Sequence, residues 1–401
     1  MKKLVFCVLM GVILSCSHSR DLTVSVSNLS GREIVDYTVE IPESQYRGLP
    51  LGDYFAVVDD EKVPVEIATG LLGDTRLIFP VAVLHPHETK TVPIRPGRAE
   101  GYPKRTYAEL SHKIGGHFEG QQYVDGFSWV KPNYLRVPDN FKDHAYYIKY
   151  EGPGWESDKV AFRFYLDQRN AIDVFGKKTP EIVLPFVGVD GYESYHHMAD
   201  WGMDNMKVGS ALGIGSIAVW DGKKAVRVEK TDSVICHIPA DGKIRSQVMT
   251  CYYGWEANGT PCNLRALLSI DAGSRASHME LRVDREIEGL ATGLNKDRAA
   301  AFFSQINEEE EWSYIATFGK QSLNDDNMGL ALLVKTKYIR EITEDDRNHL
   351  VLLKPENGFV DYYFMPTWEL DWQPVATKDD FIKCIDEVMA RLSSPVEIKI
   401  N

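Results

Sequence analysis

Short apolar or alternating segments, separated by turn residues, recur along almost the whole chain of 401 residues. Between residues 22 and 98 they are LTVSVSN, VDYTVEI, YFAVVD, KVPVEIA, TRLIFPV and KTVPI, with turn signals such as DD, GD and HPHE between them. A period of two residues is typical of a strand with one buried face. Six short strands at this spacing predict a β-sandwich module over residues 22–98.

A Pro- and Gly-rich stretch, PGRAEGYPKR, marks a linker at residues 96–105, and further strand-like segments continue to about residue 372. Helical periodicity is clearest over residues 377–392, where Thr377 and Asp380 form a capping-box pattern. The predicted fold class is therefore all-β, with the N-terminal β-sandwich at 22–98, a larger β domain at 99–401 and one C-terminal helix at 377–392.

The segment KVAFRFYLDQRNAIDVFG, residues 159–176, predicts a β-hairpin. Alternation puts Phe162, Phe164 and Leu166 on one face, opposite Ile172 and Val174, and this match sets the register. The other face then carries four polar side chains, which are Arg163, Tyr165, Asp167 and Asp173. Such a face is either the floor of a binding cleft or a solvated surface with cross-strand pairs.

The N-terminus resembles a bacterial lipoprotein signal. Lys2 and Lys3 precede an apolar run that is too short to span a bilayer, and ILSC ends at Cys16. Residues 1–16 are therefore predicted to be a lipoprotein signal peptide and lipobox, with lipidation of Cys16 as the membrane anchor. We expect a cell-envelope lipoprotein on the outer membrane facing the periplasm, because SHSRD after Cys16 lacks an acidic run.

Charge and cysteine content exclude several classes of function. The formal net charge of −13 and the lack of basic stripes argue against nucleic acid as a partner. The four cysteines beyond Cys16 show no metal-binding spacing, so one disulfide of undetermined pairing is the alternative in an oxidising compartment. The 43 aromatic residues (19 Tyr, 16 Phe and 8 Trp) fit a protein that stacks aromatic rings on sugars.

The segment YESYHHMADWGMDNMKVG, residues 192–209, concentrates groups that could do chemistry. His196 and His197 are adjacent, so on a strand or a helix their side chains diverge and do not both suit one metal. No HExxH spacing is present. The cofactor prediction is none, with a divalent metal held by one His and carboxylates kept as the alternative.

Neither a GxSxG elbow nor a GxGxxG loop entering a helix is present, so serine hydrolase and nucleotide chemistry have no support. Acid/base chemistry remains: His and Tyr move protons near neutral pH, and Arg or Lys neutralises a sugar carboxylate. This set suits β-elimination of a uronic acid or ring opening in a mutarotase. Glycoside hydrolysis would instead need two carboxylates at a defined separation.

The blocks EGPGWESDKVAFRFYLDQRNAIDVFGKK and YHHMADWGMDNMKVGSALGIGS resemble the signature blocks of the family called domain of unknown function 4861. The resemblance extends over nearly the whole mature chain, including the closing YYFMPTWEL. It implies a supersandwich fold similar to galactose mutarotases, and secreted or lipid-anchored proteins that act on or bind uronate-containing, pectin-type glycans. The family name itself defines no activity.

The predicted function is a lyase, epimerase or mutarotase acting on uronate-containing oligosaccharides, and the alternatives are a non-catalytic glycan-binding lipoprotein or a glycoside hydrolase. Arg163 or Lys207 would hold the carboxylate, and His197 or His117 would be the base. The predicted catalytic residues are His117, His196, His197, Tyr165, Arg163 and Lys207, and the predicted substrate-binding residues are Trp155, Glu156, Asp173, Asp200, Trp201, Asp204 and Tyr253.

Overall fold

The computed structural model describes residues 22–47, 49–393 and 396–401. The predicted signal peptide and the lipidation site Cys16 lie outside this range. The described chain is built almost entirely from antiparallel strands, which confirms the predicted all-β fold class. No helix in the described part of the chain has the length and apolar character needed to cross a membrane.

The first sheet has seven strands, and all six strands predicted between residues 22 and 98 are present in it. In spatial order they are Ile34–Pro42, Thr75–Leu84, Glu61–Thr69, Tyr54–Val58, Thr89–Pro96, Leu22–Asn28 and Val396–Ile400. The closing strand pairs with the first strand, Val24 opposite Ile400. The end of the chain therefore belongs to the first sheet and not to the larger unit that follows it, while the boundary near residue 98 stays a prediction.

The largest sheet has nine strands and provides one wall of the main core. Its strands, in spatial order, are Tyr134–Arg136, Ser233–Asp241, Arg245–Ala257, Thr260–Asp271, Ser277–Val283, Phe359–Trp368, Met328–Lys335, Trp312–Gly319 and Ala300–Gln305. Ser233–Asp241 and Arg245–Ala257 are consecutive strands that pair as a β-hairpin. Side chains such as Leu281 and Phe364 point from this sheet into one continuous apolar cluster.

Two five-stranded sheets add further side chains to that cluster. One contains Gly202–Asp204, Ile172–Lys177, Ala161–Phe164, Gly154–Ser157 and Thr106–Glu109, and the other contains Ala225–Arg227, Ala218–Trp220, Leu290–Asn295, Asn348–Leu353 and Ile339–Glu344. Trp155 and Phe162 pack here against the nine-stranded sheet. Two small hairpins pair His117–Glu119 with Gln122–Val124, and His112–Ile114 with Ser128–Val130.

Helices are few, as the sequence predicted. The long helix is Lys378–Leu392, and the hydroxyl of Thr377 accepts a hydrogen bond from the backbone N–H of Asp380, which is the predicted N-cap. Phe381 and Ile385 pack on the nine-stranded sheet. The remaining helical segments are Glu43–Tyr46, Lys149–Glu151, Ser194–His196 and Thr336–Tyr338. The four described cysteines are all free, so the alternative disulfide is not formed among them.

Candidate acid/base site

The site begins with the predicted hairpin, whose register the structure confirms. Phe162 lies opposite Val174 and Phe164 opposite Ile172, and these side chains enter the core. Alternation then places Arg163 opposite Asp173 on the other face of the sheet. The strand Gly202–Asp204 pairs with Ile172–Lys177 and adds the carboxylate of Asp204 to this face.

The guanidinium of Arg163 is the centre of the site and is only 1% exposed. Its Nη2 atom donates to Oδ2 of Asp173 at 2.8 Å and to Oδ2 of Asp204 at 2.6 Å. Its Nη1 donates to the hydroxyl of Tyr195 at 2.9 Å and lies 3.5 Å from a carboxylate oxygen of Glu151. Three carboxylates thus surround one buried cation, which is the compensation that a buried charge requires.

Tyr165 and Asp173 form a second contact pair on the same face. The Tyr165 hydroxyl donates to Oδ2 of Asp173 at 2.7 Å. Burial raises the pKa of Asp173 to about 7, and the neighbouring negative charge of Asp204 adds to this shift. Burial also raises the pKa of Tyr165 well above its ordinary value. Tyr165 is therefore a neutral hydroxyl at physiological pH.

His196 reaches the cluster from a short 3-10 turn, Ser194–His196. Its Nε2 lies 3.2 Å from Oδ2 of Asp204. Contact with that carboxylate is the main reason why the pKa of His196 is raised, and partial burial opposes the shift. A carboxylate-held imidazole that is about one-third exposed is a typical general acid or base.

A cavity of about 340 Å³ opens over these groups. Its volume lies at the small end of ligand pockets, which span about 300–1,000 Å³. The lining comprises Arg163, Tyr165, Asp173, His196, Asp204, Met206, Lys207, Val208, Gly209 and Leu323. At the rim, Nζ of Lys207 lies 2.7 Å from the exposed carboxylate of Asp325.

Glu151 connects Arg163 to a second arginine. Its Oε1 accepts from Nη2 of Arg169 at 2.7 Å, and Asp167 also holds that guanidinium, at 2.6 Å. Tyr150 and Glu151 have φ angles of 35° and 70°, which non-glycine residues adopt at a cost of about 1–3 kcal/mol each. This strained turn aims the Glu151 carboxylate between the two arginines.

Two buried ion pairs anchor the loop that carries His196. Nζ of Lys177 lies 2.8 Å from Oε2 of Glu156, and the carboxylate of Glu156 also accepts from the backbone N–H groups of Val183 and Leu184. Nζ of Lys149, paired with Glu109, donates to the carbonyl oxygen of Leu184. The start of the loop is therefore bonded to the sheet through Glu156 and to the 3-10 turn through Lys149.

Six of the predicted site residues come together at the cavity: Arg163, Tyr165, Asp173, His196, Asp204 and Lys207. The remaining histidines do not join them. His197 is exposed, and His117 contacts Glu119 and Asp125 within or beside its own hairpin. Of the histidine doublet, the structure thus places His196 at the cavity, whereas the sequence favoured His197 or His117 as the base.

Five predicted substrate-binding residues lie outside the cavity lining. Trp155 is fully buried, stacks on Phe162 and donates to the hydroxyl of Ser277 at 2.7 Å, so its faces are closed to a sugar. Glu156 is fully buried in its ion pair with Lys177 and is equally inaccessible. Trp201 is partly buried and packs edge-on against Phe175, whereas Asp200 is exposed.

Tyr253 also lies elsewhere, on the strand Arg245–Ala257, where it is 42% exposed. Sequence reasoning missed Tyr195 and Glu151, which both contact Arg163. Tyr195 directly precedes the histidine doublet and could have been included on that ground. For Glu151 the only signal was its place beside the glycines of EGPG.

One group in the described chain has the composition of a metal site. Ligand atoms of Asp143, His144 and Glu151 lie within 4.8 Å of one another. The guanidinium of Arg169 already contacts both carboxylates, at 2.8 Å from Asp143 and 2.7 Å from Glu151. Its positive charge sits where a cation would bind, so these residues do not fit a divalent metal.

Fold and site together define an all-β, multi-sheet protein with a buried arginine–carboxylate cluster beneath a small polar cavity. The family described as "Domain of unknown function (DUF4861)" matches residues 26–398. The chain belongs to this family, which confirms the resemblance seen in its two long blocks.

The chain is 27% identical over 271 residues to "Uncharacterized protein P7" of Formosa agariphila, and the aligned region covers 62% of this chain and 66% of that protein, just under two thirds. It is also similar to two solved structures from Enterococcus faecalis. One is a protein in glycosyl hydrolase family 38 (TM-score 0.46, 9% identity) and the other an alpha-mannosidase of strain V583 (TM-score 0.47, 8% identity). Each likeness covers 95% of this chain, but the chain spans only 47% and 46% of the respective structures.

Proposed function

We propose that the cavity catalyses proton transfer on a uronate-containing oligosaccharide, as a lyase or an epimerase. One observation carries the proposal: the His196–Asp204 pair and the neutral hydroxyl of Tyr165 line the same small polar cavity. Proton transfer needs a base and an acid within reach of one substrate, and this cavity supplies both.

His196 is the base in this proposal. With the proton of its neutral ring on Nε2, facing Asp204, Nδ1 is left to accept a proton from the substrate. The carboxylate of Asp204 then stabilises the imidazolium that forms. Exposed His197 has no such partner among the described side chains, which makes it the natural comparison.

Tyr165 is the acid. Its raised pKa keeps the proton on the hydroxyl, and Asp173, which accepts that hydrogen bond at 2.7 Å, holds the ring in place. In the lyase version, His196 removes the proton at C5 of the uronate, the bond from C4 to the glycosidic oxygen breaks, and Tyr165 protonates that oxygen. The C4–C5 double bond that forms absorbs in the ultraviolet.

Lys207 is the residue that binds the substrate carboxylate. Arg163 already contacts Asp173, Asp204 and Glu151, so its charge is compensated. Within residues 22–47, 49–393 and 396–401, the one salt bridge of Lys207 is to Asp325, which is 83% exposed. Exposed ion pairs contribute about 0–1 kcal/mol. A uronate carboxylate can therefore displace Asp325 at small cost.

The test compares wild type with His196→Gln and with its matched control His197→Gln on pectic, ulvan and alginate fragments. We expect a rise in ultraviolet absorbance for a lyase, or a change of anomer or epimer signals in NMR for an isomerase. Removing a general base lowers kcat by about 10²–10⁴-fold, so His196→Gln loses this turnover and His197→Gln keeps it. Equal activity of the two variants would contradict the role of His196.

Glycoside hydrolysis is the second candidate, because two carboxylates do line the cavity. Oδ2 of Asp173 and Oδ2 of Asp204 contact the same Nη2 atom of Arg163. It ranks second because both side chains are about 2% exposed and held by that arginine. New reducing ends without an ultraviolet-absorbing product, lost in Asp173→Asn, would favour hydrolysis over the lyase reaction.

We also propose that the chain is a lipoprotein of the cell envelope, anchored through Cys16 and facing the periplasm. The basic residues, the short apolar run and ILSC at the N-terminus support this. Metabolic labelling with a fatty acid should mark the wild-type protein and not Cys16→Ala. Equal labelling of both proteins would contradict the anchor.

A further inference from the structure

A second and larger polar cavity, of about 540 Å³, lies between the first sheet, the nine-stranded sheet and the C-terminal helix. Its lining shares no residue with the cavity of His196. Tyr37 and Glu40 line it from the first sheet, Glu280 and Tyr363 from the nine-stranded sheet, and Arg391 from the helix. None of these residues takes part in the function proposed above.

Most charges around this cavity are paired with each other. Arg245 holds Asp271 through two contacts, at 2.5 and 2.7 Å, and reaches across to Glu40 of the first sheet at 2.6 Å. These contacts, with those of Arg76, lower the pKa of Glu40 to about 2, against the effect of burial. A charged ligand would have to disrupt such pairs, whereas a hydroxyl group can bond to their spare lone pairs and N–H groups.

The second cluster in the lining is also balanced and includes an aromatic surface. Asp361 contacts His278 at 3.1 Å and Lys335 at 3.2 Å. The ring of His278 stacks on Tyr363 with a centroid distance of 4.2 Å and an angle of 10° between planes. Flat aromatic surfaces beside hydrogen-bonding groups suit the apolar faces of a pyranose ring.

Two lining groups keep hydrogen-bonding capacity for a ligand. No cation forms a salt bridge with Glu280 within the described residues, and burial raises the pKa of its carboxyl. Among the described residues, the Arg391 guanidinium donates one long hydrogen bond, at 3.5 Å to the carbonyl oxygen of Asp36. The carboxylate of Glu280 can accept hydrogen bonds, and the guanidinium of Arg391 can donate several. Because their charges are opposite, together they leave the cavity close to neutral.

We propose that this cavity between the two sheets and the helix is a binding site for an uncharged saccharide, separate from the His196 cavity. The hydroxyl groups of a neutral sugar would bond to Glu280 and Arg391, and its ring would lie near the Tyr363–His278 stack. Binding there would contact the first sheet, the nine-stranded sheet and the helix at once. The site would thus hold a glycan without chemical change to it.

The test is calorimetric titration of the full mature chain with glucose, galactose, mannose and their short oligosaccharides, and with galacturonate as the charged comparison. We expect at least one neutral sugar to bind. Glu280→Gln or Arg391→Met should raise its Kd about tenfold or more, which corresponds to a loss of about 1.4 kcal/mol of binding free energy. The matched control Glu256→Gln, an exposed position on the nine-stranded sheet, should bind as wild type does.

His196→Gln separates the two sites, and it should leave the neutral sugar's Kd unchanged. Loss of neutral-sugar binding in His196→Gln but not in Glu280→Gln would overturn the proposal, because the ligand would then occupy the other cavity. Absence of binding by every neutral sugar in the panel would overturn it as well. Circular dichroism of each variant checks folding, and the two independent variants keep the test valid when one of them fails to fold.

Discussion

Replacing Glu156 with Gln tests whether this residue supports the fold or binds a substrate. Glu156 and Lys177 are both fully buried, and their charged atoms lie 2.8 Å apart. Nζ of Lys177 otherwise donates to the carbonyl oxygen of Ser157 at 2.7 Å. In Glu156→Gln the ammonium of Lys177 loses its one carboxylate partner among the described residues, so its charge is left uncompensated in the interior.

Breaking a buried ion pair from one side costs about 3–5 kcal/mol. The glutamine retains one carbonyl oxygen that can accept from Val183 or Leu184, which places the expected loss near the lower end of that range. We therefore expect the free energy of unfolding, measured by urea titration, to fall by about 3 kcal/mol. The exposed neighbour Glu181→Gln is the matched control and should unfold as wild type does.

The double variant Glu156→Gln/Lys177→Met removes both charges at once. Because no lone charge remains buried, its loss should be smaller than the sum of the two single losses by about 2 kcal/mol. Additive single and double losses would refute the ion pair as the source of stability. Unchanged unfolding of Glu156→Gln, together with loss of oligosaccharide binding, would restore the role expected from the sequence.

Three further outcomes follow from the site and the helix. Asp204→Asn should lower the pKa of His196 in an NMR titration, because contact with Asp204 is the main cause that raises it; an unchanged pKa would refute that cause. Asp173 has a pKa of about 7 in the folded chain, against an ordinary value of 3.8. Between these two pH values the folded state binds a proton that the unfolded state has released, so the free energy of unfolding falls as the pH rises from about 4 to 7. Asp173→Asn should flatten that part of the stability–pH curve measured by urea titration, and an unaltered slope would contradict the shift. Thr377→Ala should cost about 1 kcal/mol in the same assay through loss of the N-cap, and no loss would contradict the cap.

The sequence predicted local structure well because strand periodicity and hairpin register are local properties. The alternation of Phe162 and Phe164 was enough to place Arg163 opposite Asp173. Pairing between distant strands leaves no such local signal. The contact of Val396–Ile400 with Leu22–Asn28 joins the two ends of the described chain, and no pattern within either segment specifies its partner.

Burial separates two of the predicted substrate-binding residues, Trp155 and Glu156, from the cavity. Trp155 and Glu156 follow a Gly-Pro-Gly stretch that is typical of an exposed turn, yet both are fully buried. Whether a polar side chain is buried depends on what the rest of the chain packs over it. Here Ser277, more than 100 residues away, accepts from the Trp155 ring, and Lys177 neutralises Glu156.

The charges around Arg163 restrict how a uronate could lie in the proposed site. Asp173, Asp204 and Glu151 contact one guanidinium, so an anionic substrate group brought to that point would meet an excess of negative charge. Lys207 lies at the rim, and its one ion-pair partner in the described part of the chain is the exposed Asp325. In the proposed complex the substrate carboxylate therefore lies at the rim and the sugar ring over His196 and Tyr165. Arg163 then holds the two aspartates that position His196 and Tyr165, and it acts on the substrate only through them.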